Sequence, residues 1–143
     1  MKRAAAALCA LSVSLAGVSA RAETPPRLGA GFGPTESARL APALTLPQFA
    51  GVGATVLPAQ SDGLIEAFAP WGMHHGGCGE WWGVERVVIL RRGACEAGWI
   101  DTLTHELCHG QRWQEAGDDG HGIEWATCYA EALAALGAEA VAR

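Results

Sequence analysis

Apolar residues recur at helical spacing in residues 99–113, and this predicts an amphipathic helix. Trp99, Ile100, Leu103 and Leu107 fall on one side of a helical wheel. The stretch 93–98, with a glycine at each end, separates this helix from the residues before it. We expect the apolar side to pack on the core, which leaves the opposite side for polar side chains.

An alanine-rich segment, residues 122–138, predicts a second helix. Ile123, Ala126, Ala130 and Leu133 repeat at helical spacing and are expected to form its buried stripe. Residues 115–120 (EAGDDG) lie between the two helices, and their glycines and aspartates are typical of a turn.

Two further apolar segments predict strands. Residues 84–91 (VERVVILR) are β-branched and apolar at their centre, and residues 52–57 form a shorter candidate. Residues 62–68 indicate a helical turn or two. Together with the two helices, these elements predict an α+β fold in which a small sheet packs on the first helix and the second helix lies C-terminal to it.

The composition changes along the chain. All seven prolines lie between Pro25 and Pro70, whereas all six tryptophans lie between Trp71 and Trp125. Residues 23–60 are rich in Pro, Ala and Gly without a sustained period, so we expect a loosely ordered arm or linker there. The compact domain is expected to span residues 61–143, a length at which disulfides and a metal would help folding.

Residues 1–22 (MKRAAAALCALSVSLAGVSARA) have the pattern of a secretory signal peptide. Lys2 and Arg3 precede a mostly apolar stretch, and Ala20 and Ala22 form the small-x-small pattern that signal peptidases accept. The apolar stretch is shorter than the ~20 residues that a spanning helix needs. We therefore expect export to the periplasm or the outside, without stable membrane insertion after cleavage.

The charge balance excludes one class of partner. The chain carries 10 Lys and Arg against 15 Asp and Glu, a formal net charge of −5, and Lys2 is its only lysine. A protein that holds nucleic acid by its phosphates needs a basic face. No nucleic-acid partner is expected.

Four cysteines follow the predicted signal peptide: Cys78, Cys95, Cys108 and Cys128. An even number in a small exported domain predicts two disulfides. Three pairings are possible; we favour Cys78–Cys95 with Cys108–Cys128, because each pair then joins neighbouring elements. A four-cysteine zinc site is disfavoured because the chain has no C-x2-C pair.

The predicted first helix contains the H-E-x-x-H motif at residues 105–109 (HELCH). His105 and His109 are one helical turn apart, so both imidazoles can reach one zinc ion. Glu106 is rotated about 100° from His105 and can act as the general base on a water without binding the metal. The motif therefore predicts one catalytic Zn²⁺, with Glu106 as the catalytic residue.

A catalytic zinc needs a third protein ligand and an open position. The long metzincin pattern would place a histidine at position 115, which is Glu115 here. His121 is the best candidate because a turn can bring it back to the same metal. Glu131 on the second helix is the next candidate, in the manner of thermolysin, and Glu124 is the third.

Residues 103–125 (LTHELCHGQRWQEAGDDGHGIEW) resemble the core of the SprT-like (Spartan-type) zinc metallopeptidases. That family has H-E-x-x-H on one helix and His-Gly-x-x-aromatic at the start of the next, matched here by residues 121–125 (HGIEW). The resemblance extends over residues 84–133 and implies a minimal zincin-like core. It also implies zinc binding by His105, His109 and His121, with Glu106 as the base.

These observations predict an exported zinc metallopeptidase that hydrolyses amide bonds in a peptide or protein substrate, for example one of the cell envelope. An extended substrate is expected to add to the strand at residues 84–90, at the edge of the site. The alternative is a metal-binding zincin-like module that binds a protein or cell-envelope partner without cleaving it. The presence of Glu106 favours the enzyme, since binding alone needs no such carboxylate.

Overall fold

The computed structural model describes residues 24–59, 77–116 and 120–141. The predicted signal peptide, residues 1–22, and the helical turn predicted at 62–68 lie outside the described residues. The regular elements are β1 (Arg27–Leu28), α1 (Pro34–Leu44), β2 (Thr55–Ala59), β3 (Gly79–Trp82), β4 (Val87–Arg91), α2 (Trp99–Ala116) and α3 (Ile123–Val141). Two 3-10 turns, Pro47–Phe49 and Gly93–Gly98, complete the described elements.

The fold is α+β, as predicted, with a mixed sheet of four described strands in the order β1, β2, β4, β3. Strand β2 is parallel to β1 and to β4, whereas β3 is antiparallel to β4. The helices pack on one face of this sheet around the larger hydrophobic cluster. A smaller cluster on the opposite face is formed by Leu57, Ala59, Trp82, Val87 and Ile89.

The strand predicted over residues 84–91 begins later, at Val87, because residues 83–86 form a turn. Arg86 closes this turn with a φ of 54°, and Val84 at its tip is 81% exposed. Residues 87–90 are buried on both faces of the sheet, as expected for a central strand. The expectation that this strand forms the edge is therefore wrong: β4 pairs with a neighbour on each side, and β3 is the outer strand.

Residues 24–59 do not form a loosely ordered arm. Helix α1 buries Leu40 and Ala43, and Phe49 and Val52 add to the same core. Strand β2 begins at Thr55, three positions after the predicted start at residue 52, and ends at Ala59. It lies inside the sheet, between β1 and β4. The compact unit therefore includes residues 24–59, because their apolar side chains pack against α2 and the sheet.

Helix α2 confirms the prediction for residues 99–113 and extends it to Ala116. Trp99, Leu103 and Leu107 are completely buried, and Ile100 is partly buried at the margin of the same core. The Trp99 indole N–H donates to the Arg91 carbonyl at 2.6 Å, which fixes the start of the helix against the end of β4.

Helix α3 lies where the sequence predicts it but presents a different face to the core. Ile123 is 76% exposed and Leu133 is 38% exposed, and both alanines of the predicted buried stripe are also exposed. The buried positions are Cys128 and Ala132 instead. Because α3 is apolar nearly all round, the hydrophobic period alone could not select the face that packs.

Both predicted disulfides, Cys78–Cys95 and Cys108–Cys128, are present. The first joins the residue before β3 to the second 3-10 turn, and the second joins α2 to α3. None of the described helices is long and apolar enough to cross a membrane.

Candidate metal centre

Three histidines converge where α2 meets the start of α3, and His109 is buried there. His105 and His109 lie one turn apart on α2, and His121 comes just before α3. The Nε2 atom of His105 is 3.2 Å from Nε2 of His109 and 3.1 Å from Nε2 of His121. Candidate ligand atoms of all three residues lie within 4.8 Å of one another.

This geometry fits a tetrahedral metal ion. Ligand nitrogens at 2.0–2.1 Å from a tetrahedral Zn²⁺ are about 3.3–3.4 Å apart, close to the two Nε2 distances from His105. Burial lowers the pKa of His105, and the neighbouring His121 lowers it further, so the neutral imidazole is favoured. A neutral imidazole is the form that binds a metal.

The two glutamates considered as alternative ligands lie elsewhere. Glu124 and Glu131 line a cavity of about 270 Å³ together with Gln48, Gln111, Arg112, Ile123, Thr127 and Cys128. Neither glutamate belongs to the cluster of potential ligands, which contains His121. The arrangement therefore favours the three-histidine set over a thermolysin-like set.

Trp125 contacts all three imidazoles. Its ring centroid lies 4.6 Å from that of His105, 5.5 Å from that of His109 and 4.5 Å from that of His121. The indole N–H also donates to the His105 carbonyl at 3.4 Å. Since Trp125 belongs to α3, this one ring holds the histidines of two segments in a common geometry.

A second contact joins the helices beside the metal centre. The Tyr129 hydroxyl donates to Asp101 Oδ1 at 2.6 Å, and the Tyr129 ring stacks on Trp125 with the centroids 5.1 Å apart. Burial raises the pKa of Tyr129 to about 12, with Asp101 as a further cause. Negative charge on Asp101 opposes the lowering of the His105 pKa.

Glu106 is a nearly buried carboxyl, only 7% exposed, on the face of α2 next to β3. Burial, and secondarily the charge of Glu80, raise its pKa to about 8, although a hydrogen bond from the Trp81 amide lowers it. Gly79 lets β3 approach closely: a β-carbon there would overlap Thr102 Cγ2 and lie 3.2 Å from Glu106 Cγ. Glu106 can therefore hold a proton near neutral pH.

Sequence reasoning found the three histidines and Glu106 but missed the groups that support them. Trp125 has a signal in the sequence, because it is the aromatic residue of the HGIEW segment that begins at His121. The Tyr129–Asp101 contact and the roles of Gly79 and Trp81 had none, since they depend on how β3 and α3 pack against α2.

Searches with this chain found no matching family model, no matching curated protein and no matching solved structure. The resemblance to SprT-like metallopeptidases therefore stays a prediction, and it is the geometry of the site that bears on function.

Proposed function

We propose that this chain is an exported zinc-dependent metallopeptidase that hydrolyses amide bonds. The observation that carries the proposal is the convergence of three imidazole Nε2 atoms, with the buried Glu106 carboxyl next in sequence to His105 on α2. His105, His109 and His121 would hold the zinc ion, and Glu106 would be the general base. The fold with a zincin-like core belongs to the same proposal.

The metal would polarise the scissile carbonyl and lower the pKa of a water in the site. Glu106 accepts the proton from the attacking water and later donates it to the leaving amine. The pKa of about 8 belongs to the metal-free carboxyl; a nearby cation would lower it and favour the carboxylate, which is the form that accepts a proton. Trp125 keeps the three imidazoles oriented while the proton moves.

The outer edge of β3 is the place where an extended peptide would bind. The Cys78 carbonyl accepts a hydrogen bond from the Arg91 amide. Residues that bond to the partner strand alternate with residues that do not along an antiparallel pair, so the main chain of Gly79 and the Trp81 carbonyl point away from β4. No described strand lies beyond β3. A substrate that adds there passes beside Glu106, since Gly79 lies against that side chain.

The proposed substrate is a peptide or protein, for example one of the cell envelope, with no role for nucleic acid or for stable membrane insertion. The two disulfides are compatible with a periplasmic or extracellular location, because disulfides persist in oxidising compartments. The chain's net negative charge argues against binding to phosphate backbones.

The decisive experiment measures metal content and peptide cleavage on the chain from residue 23, folded under oxidising conditions. We expect about one zinc per chain by elemental mass spectrometry. His121→Ala should lose the zinc, and Glu131→Ala, the matched control, should keep it. Glu106→Gln should retain zinc while cleavage of a peptide library falls by about 10²–10⁴-fold.

Each other result rejects a defined part of the proposal. A folded parent that binds no added zinc rejects the metal centre. Loss of zinc in Glu131→Ala rather than in His121→Ala indicates the thermolysin-like ligand set. A zinc-loaded parent without activity on any peptide favours the non-catalytic binding module.

A further inference from the structure

Helix α3 is attached to the rest of the protein by few buried side chains. Among its described side chains only Cys128 and Ala132 are buried, and the apolar side chains of Ile123 and Leu133 face solvent. Helix α2 differs, because Trp99 and two leucines anchor it deep in the core. The position of α2 is therefore set by deep hydrophobic packing. Helix α3 packs through Cys128, Ala132 and four partly buried side chains, Trp125, Tyr129, Ala135 and Leu136, and is linked covalently to α2 by the Cys108–Cys128 disulfide.

The metal centre spans these two unequally anchored elements. His105 and His109 belong to α2, but His121 is placed by α3, which begins two residues later. Cys108 is adjacent to His109 inside the H-E-x-x-H motif, and its disulfide partner lies on α3. The disulfide therefore closes a chain segment that contains one histidine of α2 and the histidine before α3.

We propose that the Cys108–Cys128 disulfide is a redox gate on the metal centre. When it is oxidised, His121 is held beside the other two histidines and the metal binds tightly. When it is reduced, α3 and His121 separate from α2, and only the histidine pair on α2 remains. This inference rests on the metal centre of the proposed function, but it does not require peptidase activity.

The redox step is a thiol–disulfide exchange. A dithiol reductant supplies two electrons and two protons, the sulfur–sulfur bond breaks, Cys108 and Cys128 become thiols, and the dithiol closes to its own disulfide. Cys128 is 7% exposed and lines the 270 Å³ cavity, whereas Cys108 is fully buried, so the exchange would begin on the Cys128 side.

Opening the bond affects the metal centre through chain entropy. The cysteines are 20 positions apart in sequence, and the intervening segment gains conformational freedom when the link is lost. Besides the disulfide, α3 is held by apolar side chains packed on the core, by the Tyr129–Asp101 hydrogen bond, by the Trp125 contacts and by a hydrogen bond from Gln48 to the Cys128 carbonyl. The metal must then restore the order of this segment, and its affinity falls.

The second disulfide offers a matched control. Cys78 and Cys95 are 17 positions apart, so they close a loop of similar length. They join the residue before β3 to the second 3-10 turn, and neither of these elements carries a histidine of the metal centre. Removing the Cys78–Cys95 disulfide therefore tests the effect of a general loss of stability without separating α2 from α3.

The test compares zinc affinity, measured by competition with a chromophoric chelator, in the parent and in two double variants of the chain from residue 23. Cys108→Ala/Cys128→Ala should bind zinc at least tenfold more weakly than the parent. Cys78→Ala/Cys95→Ala should stay within about threefold of it. Equal affinity in the parent and the first variant, or equal losses in both variants, overturns the proposal.

Reduction of the parent provides a measurement that does not depend on the folding of a variant. The protein is treated with increasing dithiol and desalted without oxygen, and free Cys108 and Cys128 are quantified by alkylation and mass spectrometry. Zinc affinity should fall as these two thiols appear and recover on reoxidation, while far-ultraviolet circular dichroism shows that the helices persist. Full affinity after complete reduction of this bond contradicts the gate.

The outcomes also separate this proposal from the peptidase proposal. An oxidised parent that binds no zinc rejects both. A parent that binds zinc under redox control but cleaves no peptide retains the gate and rejects the peptidase. A peptidase whose zinc affinity and rate are unchanged by reduction rejects the gate alone.

Discussion

Tyr129 on α3 donates its hydroxyl hydrogen to Asp101 in the first turn of α2, with 2.6 Å between the two oxygens. This contact joins the same two helices as the Cys108–Cys128 disulfide, and the Tyr129 ring centroid lies 5.7 Å from that of His105. It ties the aromatic pair Trp125–Tyr129 to the helix that carries two of the three histidines.

Because Tyr129 is the only tyrosine of the chain, an ultraviolet absorbance titration reports on it alone. In the metal-free protein we expect its pKa near 12, raised by burial and by the Asp101 carboxylate. Asp101→Ala should lower that pKa, whereas Glu124→Ala on the other side of α3 should not. Circular dichroism during the titration distinguishes ionisation from unfolding; an ordinary pKa of about 10 in folded parent protein contradicts the contact.

The burial of Glu106 predicts a pH-dependent stability of the metal-free protein. In the folded state the pKa of Glu106 is about 8, above the usual 4.5, so the folded state binds more protons than the unfolded state between these values. The stabilisation that comes from this proton binding is lost as the pH rises from 4.5 to 8. Glu106→Gln mimics the neutral carboxyl and avoids the loss. The stability of the variant relative to the parent should increase by on the order of 3–5 kcal/mol across this range.

Urea denaturation at several pH values in the presence of a chelator measures this difference. Glu131→Gln, which neutralises an exposed carboxyl on α3, is the control and should follow the parent. If the parent and Glu106→Gln keep a constant difference from pH 5 to pH 8.5, then the carboxyl is not buried as described.

The contacts of Trp125 with three imidazoles predict a role in metal affinity. Trp125→Leu removes the aromatic surface and should weaken zinc binding by about 10-fold or more, as loss of supporting groups commonly does. Trp125→Phe keeps part of that surface and should weaken it less. The control is Trp82→Leu on the opposite face of the sheet, measured in the same chelator competition. Similar effects of the two leucine variants count against a local role for Trp125.

The close approach of β3 to α2 predicts a severe effect of a single methyl group. Gly79→Ala should destabilise the protein by about 1–3 kcal/mol, because the new β-carbon overlaps Thr102 and crowds Glu106. Gly98→Ala is the matched control, since a β-carbon there meets nothing within 4 Å. Thermal or urea unfolding measures both; equal stabilities of the two variants refute the tight packing of β3.

Elements that local interactions form could be predicted from the sequence, whereas elements that depend on contacts between distant residues could not. Helix α2 was predicted nearly to its ends, because a strong apolar stripe is a local signal. The contribution of residues 24–59 was not predicted, because their composition resembles that of a linker. Strand β1 pairs with β2 in parallel, and the core side chains of α1 contact distant residues, so neither feature has a local pattern.

The residues of the candidate site also differ in whether the sequence alone could place them together. His105, Glu106 and His109 are visible in the sequence because one helical turn is enough to place them together. The choice of His121 over Glu131 was only a preference, since it depends on how the second helix is rotated. The structure turns Glu131 toward the cavity beside Cys128 and leaves His121 next to His105.

By itself, the sequence determined the helix with its two histidines and glutamate and the α+β class, because periodicity and spacing act over short distances. It left three cysteine pairings possible, and the structure has the favoured one. Only the tertiary structure decided which face of α3 is buried and which strand forms the edge of the sheet. Helix α3 is apolar on several faces, so its rotation is set by the Cys108–Cys128 bond and by the contact of Trp125 with the imidazoles. Strand β4 became central because residues 24–59 supply a parallel partner on its other side.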